Sequence, residues 1–161
     1  MKIKVYIERQ TLELLDDAGA VVCAYSISTA ANGAGEETGS YKTPRGKHVV
    51  RAKIGAGQPA DAVFVRRRPT GEIYTPELAE QCPGRDWILT RILWLSGREV
   101  GFNRLGDVDT MRRYVYIHGT PDQVELGKPG SKGCVRMRNA DIMDLFERVQ
   151  PGIEVEILEH G

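Results

Sequence analysis

Apolar residues recur at every second position at both ends of the chain. Ile3, Val5 and Ile7 alternate with more polar neighbours, the pattern of a strand with one buried face. Leu12 and Leu14 repeat that spacing in Thr11–Leu15. The run Asp16-Asp17-Ala18-Gly19 marks a turn, and Val21–Ser28 reads as a third strand. A small antiparallel meander is therefore expected at the start. Lys47 to Ile54 is a further strand, entered from the tight turn Thr43-Pro44-Arg45-Gly46. Trp87 to Leu95, W-I-L-T-R-I-L-W-L, is so evenly apolar that it predicts a central strand buried on both faces. Tyr114 to Ile117 is another strand. The period then changes. Asn139 can cap a helix with Asp141 in its first turn, and Ile142, Leu145, Phe146 and Val149 form one apolar face. Pro151-Gly152 stops that helix, and Ile153, Val155 and Ile157 alternate with Glu154 and Glu156 in a last strand. Residues 55 to 86 break the pattern. Pro59, Pro69, Pro76 and Pro83 punctuate an excursion from the sheet, with one helical turn near Pro76 to Glu80. The whole reads as mainly β with one C-terminal helix.

Composition narrows the class. At 161 residues, with no repeat and no linker, residues 1–161 are expected to form a single domain. Apolar residues make up 41% and charged residues 27%, as in an ordinary soluble globular protein. Lys and Arg balance Asp and Glu at 22 each, so charge provides no case for nucleic acid or an anionic membrane as a partner. The basic run Arg66-Arg67-Arg68 reads as a solvated loop. No apolar run approaches the roughly 20 residues of a transmembrane helix. The N-terminus reads as a strand rather than an export signal, which makes cytoplasmic localisation the expectation, or periplasmic if a signal has been removed. The three cysteines, Cys23, Cys82 and Cys134, show no CxxC spacing. They predict free thiols, with no metal and no cofactor. The oligomeric state is not legible.

Chemistry concentrates between Tyr114 and Met137. Y-V-Y-I-H-G-T delivers His118 at a strand end, and S-K-G-C-V-R-M places Cys134 between Gly133 and Val135. A Cys and a His flanked by glycines make a candidate nucleophile and base, weighed against a buried Cys and a core His. Cys134 shortly precedes the predicted helix start, where the dipole would favour a thiolate, and Lys132 and Arg136 would lower its pKa further. His48 reads as structural or exposed, and Cys23 as a small buried hydrophobe. The glycine-rich loop 31–40 lacks a GK[ST] end and carries Glu36-Glu37, so it is a rim or connector rather than a phosphate loop. Arg91 is anomalous within its apolar run. It must form a salt bridge or meet an anionic substrate.

I-H-G-T, a loop, and S-K-G-C-V-R-M together resemble the signature of the L,D-transpeptidase (YkuD-type) catalytic domain. Ser28-Thr29, Gly39-Ser40, Thr43-Pro44-Arg45-Gly46, Thr90 to Leu95 and the terminal helix and strand extend that resemblance over essentially the whole chain. It implies a β-sandwich with the C-terminal helix packed on it. It also implies a cysteine enzyme attacking peptidoglycan stem tetrapeptides between the L-centre of a diamino acid, commonly diaminopimelate, and terminal D-Ala. Cys134 would form the thioester and His118 would take its proton. Gly119 would orient His118, and N–H groups near Gly133 and Cys134 would hold the oxyanion. Arg136 and Ser131 match substrate-side positions of the family. Lys132 stands where the family usually has histidine, which leaves its secondary role open. Water as acceptor would make an L,D-carboxypeptidase that trims recycled muropeptides, the fate favoured by the N-terminus. An amine acceptor would make a cross-linking L,D-transpeptidase. A non-catalytic muropeptide binder is the remaining alternative.

Overall fold

The computed structural model describes residues 1–161. Ten strands form in chain order: β1 Lys2–Tyr6, β2 Thr11–Leu15, β3 Val21–Ser28, β4 Gly46–Ile54, β5 Ala62–Val65, β6 Arg68–Ile73, β7 Ile88–Gly97, β8 Tyr116–Thr120, β9 Val135–Arg138 and β10 Glu154–Leu158. Two helices join them, α1 Pro76–Gln81 and α2 Asn139–Arg148. The predicted meander is β1–β2–β3, with Ile3 opposite Leu14 and Leu14 opposite Cys23.

The sheet is not a sandwich. Its strands run β4-β10-β1-β2-β3-β9-β8-β7, and β4 pairs with β7 to close the ring. The length of β7 explains the closure. Ile92 to Gly97 pair with β4, while Ile88 and Leu89, nearer its start, pair with β5. One long strand thus closes the barrel and also carries the β5–β6 hairpin beside it. Closure leaves no free edge between the eight strands of the ring.

Ile3, Val5, Leu12, Leu14, Ile117, Val135 and Met137 meet in the barrel core. The apolar face of α2, Ile142, Leu145 and Phe146, joins the same cluster. Asn139 does not cap the helix as expected. Arg138 holds the cap position without a side-chain hydrogen bond, and the Asn139 amide turns inward. Its Nδ2 donates to Asp61 Oδ1 at 2.8 Å, and its Oδ1 accepts from Thr90 Oγ1 at 2.8 Å. A buried amide needs partners more than a solvated helix end needs a cap.

The expected central strand is β7, buried over most of its length. Between Leu89 and Ile92 it bulges against β8, because those two residues pair with adjacent positions, Gly119 and His118. Thr90 absorbs the irregularity at φ 74°, an uncommon conformation for a β-branched residue. Arg91 follows it inward and meets neither expectation. Its Nη1 donates to the Gln58 and Thr90 carbonyls at 2.8 and 2.6 Å, and its guanidinium lies 5.5 Å from the Phe146 ring centroid. Carbonyl oxygens and a ring face take the place of a carboxylate.

Candidate active site

β8 and β9 run parallel side by side, with Ile117 opposite Val135 and His118 opposite Arg136. This pairing brings together two motifs that lie a loop apart in sequence. A cleft of about 410 Å³ opens above them, lined by Cys134, His118, Arg136, Asp86, Tyr114 and Tyr116 among others. Ser131 and Lys132 also line it, whereas Arg91 does not.

Three contacts shape the cysteine loop. Ser131 Oγ donates to the Cys134 carbonyl at 2.6 Å and accepts from the Gly133 N–H at 3.2 Å. Thr43 Oγ1, from the T-P-R-G turn, donates to the Gly133 carbonyl at 3.0 Å. Gly133 itself has φ 126°, a conformation that favours glycine, and a Cβ there would crowd the Lys42 carbonyl at 3.3 Å. Ser131 is thus a buried brace for the loop. The expected oxyanion donors separate. The Gly133 N–H is committed to Ser131, while the Cys134 N–H has no partner within the protein and remains available.

His118 is held from behind. Its ring Nδ1 donates to the Gly119 carbonyl at 2.6 Å, which leaves Nε2 as the lone-pair nitrogen. Gly119 is packed too tightly for any side chain. A Cβ would run into Asn139 Oδ1 and lie 2.6 Å from the Leu89 carbonyl. The Asp61–Asn139–Thr90 chain therefore backs the residue that orients His118. The wall of β7 and the start of α2 are inconspicuous in sequence as parts of a site.

The thiol environment corrects the sequence expectation. Cys134 does not begin a helix, because β9 intervenes before α2. Its Sγ lies between the Tyr116 N–H at 3.4 Å and the Tyr114 carbonyl at 3.6 Å. Cys134 is partly open to the cleft but enclosed by protein on its other sides, and burial pushes the thiol up to about 12. The Tyr116 N–H, Arg136 and Arg113 act in the opposite direction and are outweighed; Lys132 is not among the groups that lower it. Burial also holds the His118 imidazole below its ordinary 6.5, opposed by its bond to the Gly119 carbonyl. The resting pair is therefore neutral, a protonated thiol and an unprotonated base lining one cleft.

Several cleft residues carry no distinctive signal in the sequence. Asp86, at the end of the 55–86 excursion, pairs with Arg136 Nη2 at 3.1 Å. Arg136 Nη1 also donates to the Gly130 carbonyl at 3.1 Å. The guanidinium is thus fixed in place, with a carboxylate already beside it. Arg67 is not a solvated loop residue. Its Nη1 donates to the Tyr116 hydroxyl at 2.9 Å, and its guanidinium lies 4.7 Å from both the Trp94 and Tyr114 ring centroids. The expected strand at Tyr114 begins two residues later, since Tyr114 adopts φ 57° and turns its carbonyl toward the sulfur. His48 proves structural, bonded to the Gly46 carbonyl and Thr110 Oγ1, each at 3.0 Å. No three His, Cys, Asp or Glu side chains cluster in a way that could hold a metal ion. No helix is long and apolar enough to cross a membrane.

A mainly β domain with His118 on one strand and Cys134 just before the parallel strand beside it, both lining one cleft, defines a class of cysteine-site proteins. The family is settled by comparison. Residues 1–157 match the model of the YkuD L,D-transpeptidase catalytic domain, and the chain belongs to that family. YkuD of Bacillus subtilis is 41% identical over 94 residues, covering 58% of this chain and 47% of that protein. YqjB of the same organism is 37% identical over 65 residues, 40% of this chain and 35% of that one. The matched segments thus span less than half the length of these curated relatives. Among solved structures, an Enterococcus faecium L,D-transpeptidase carrying a cysteine-to-serine mutation superposes with TM-score 0.58 at 18% identity, over 98% of this chain and 49% of that one. The L,D-transpeptidase LdtMt1, solved with imipenem, superposes with TM-score 0.56 at 17% identity, over 97% of this chain and 57% of that one. At that level of identity the two structures speak to the fold alone.

Proposed function

We propose that this domain is a cysteine acyl-transfer enzyme acting on peptidoglycan stem tetrapeptides, cleaving the L,D bond between the diamino acid and terminal D-Ala. The observation that carries the proposal is the neutral Cys134–His118 pair in one cleft beside an uncommitted Cys134 N–H. A thiol titrating near 12 cannot attack as a pre-formed thiolate at neutral pH. Its proton must leave as the sulfur adds to the carbonyl. His118, anchored at Nδ1 and bare at Nε2, is built to receive that proton. The Cys134 N–H stabilises the oxyanion that forms. The His118 proton then passes to the departing D-Ala nitrogen, leaving a thioester on Cys134.

The thioester can be resolved by water or by an amine. A second recess of about 450 Å³, lined by Ala31, Asn32, Gly130, Ser131, Lys132 and Tyr41, adjoins the cleft through the last three of these side chains. A place for a second peptide favours the amine and therefore cross-linking. The test incubates the protein with a disaccharide-tetrapeptide and reads product masses. A dimer accompanied by free D-Ala supports transpeptidation. Tripeptide without dimer supports the trimming role, with water as acceptor. Unchanged tetrapeptide, with no adduct on Cys134, refutes acyl transfer on this substrate class.

A further inference from the structure

The cleft carries a concentration of charge that the chain as a whole lacks. Lys and Arg equal Asp and Glu over the full sequence, yet Arg66, Arg67, Lys132 and Arg136 line the cleft against a single carboxylate, Asp86. That carboxylate is committed to Arg136. Arg67 is committed to the Tyr116 hydroxyl and two aromatic rings. Arg66 and Lys132 have neither an acidic partner nor a side-chain hydrogen bond within the protein, and both are exposed at the cleft.

The backbone presents this charge at a strained position. Arg66 and Arg67 are the whole two-residue turn of the β5–β6 hairpin, with Val65 opposite Arg68 and φ of 51° and 65°. Such a turn ordinarily takes Asn-Gly, because both residues must be left-handed. Two arginines there are locally unfavourable, and strain of this kind accumulates where a side chain is needed in one place. The anchoring of Arg67 explains how the place is kept. Its hold on Tyr116 ties the hairpin tip to the residue whose N–H reaches the Cys134 sulfur.

We propose that Arg66, with Lys132 facing the same cleft, is a specificity element that selects stem peptides carrying a free carboxylate near the scissile bond over those bearing the isosteric carboxamide. The inference rests on the reading of the cleft at Cys134 as the place where a stem peptide binds. The chemistry recognised is a carboxylate, whether on the side chain of the diamino acid or on the D-glutamate before it. A carboxylate bound in the cleft within reach of these unpaired cations gains charge-assisted hydrogen bonds that an amide cannot match. At a solvent-exposed site the gain is modest, worth about fivefold to tenfold in affinity. It weakens as salt screens the charges.

The test measures binding by calorimetry to Cys134→Ala protein and turnover by intact enzyme. Four tetrapeptides are compared: unmodified, amidated at the diamino acid, amidated at the glutamate, and amidated at both. The expected result is about fivefold to tenfold tighter binding of a free-carboxylate peptide at low salt, and the singly amidated peptides show which carboxylate is read. Adding Arg66→Gln should remove much of the preference and Arg66→Gln with Lys132→Gln should bring it close to unity, whereas Arg66→Lys should retain most of it. Preferential binding without turnover sustains this proposal and refutes the catalytic reading. Turnover with equal affinity for all four peptides sustains the catalytic reading and overturns this proposal. A preference that survives Arg66→Gln and Lys132→Gln together also overturns it, and failure of every tetrapeptide to bind overturns both.

Discussion

The protonation state of Cys134 gives the sharpest prediction. The perturbation is pH, read through alkylation by iodoacetamide, which consumes thiolate. A free cysteine near 8.5 is about one-tenth thiolate at about pH 7.5, whereas a thiol near 12 is ionised in about one molecule in 30,000. That is about 3,000-fold less nucleophile. A more basic thiolate is intrinsically more reactive, by roughly half a decade for each pH unit of basicity, which recovers about one and a half decades. Cys134 should therefore alkylate roughly a hundredfold more slowly than an unhindered free thiol, with a rate still rising at pH 10. Peptide mapping of protein quenched at intervals between pH 6 and 10 follows Cys134, Cys23 and Cys82 in one sample, and Cys134→Ala protein identifies the adduct. A Cys134 rate that reaches a plateau below 8.5, or outpaces Cys23 at neutral pH, would refute the reasoning. It would mean that Arg136, Arg113 and the Tyr116 N–H outweigh burial, and that the resting state is an ion pair. His118→Ala should lower peptide turnover by about 100- to 10,000-fold without bringing that alkylation midpoint down.

Two further outcomes follow from packing and burial. Gly119→Ala places a methyl against Asn139 Oδ1 and the Leu89 carbonyl, so it should cost about 1–3 kcal/mol and several degrees in thermal melting. It should also depress turnover, because the carbonyl that holds His118 must move; a melting point within a degree of wild type would show that the wall yields freely. His48 is buried and neutral, its pKa lowered from 6.5 to about 4 chiefly by desolvation. Its unfolded form takes up a proton first as pH falls, so the stability it confers is complete above about 6.5 and is lost toward 4, at most about 3 kcal/mol. Urea unfolding at about pH 7.5 and 4.5 should show a smaller loss on acidification in His48→Gln protein than in wild type, and equal losses would count against the assignment.

Much of the scaffold was legible because local periodicity carries it. The alternation at Ile3, Val5 and Ile7, the apolar run of β7 and the face of α2 all lie where the pattern placed them. So do the turn before β4 and the helical turn at Pro76. Cys134 and His118 stand out as a pair because glycine-flanked chemistry at strand ends is a local signal, and both line the cleft. The misses have a common origin. Asp86, Arg67, Tyr116, Thr90 and Asn139 belong to strands, turns and a helix start whose sequence shows only that they are polar or amphipathic. Their roles depend on which element lies opposite. The charge of Arg91 stands out in the sequence, yet its partners are backbone carbonyls, which any sequence offers everywhere.

The amino-acid sequence by itself determined a mainly β chain with one C-terminal amphipathic helix, the cysteine and histidine and their family, because periodicity and motif spacing are properties of neighbours along the chain. The tertiary structure alone decided that the sheet closes into a barrel, since closure depends on β4 meeting the far part of β7. It alone placed the Asp61–Asn139–Thr90 chain behind Gly119 and brought the Arg66–Arg67 turn to the cleft. It also reversed the expected charge on Cys134. Ionisation is set by everything that surrounds the sulfur in space, and enclosure outweighs the nearby arginines.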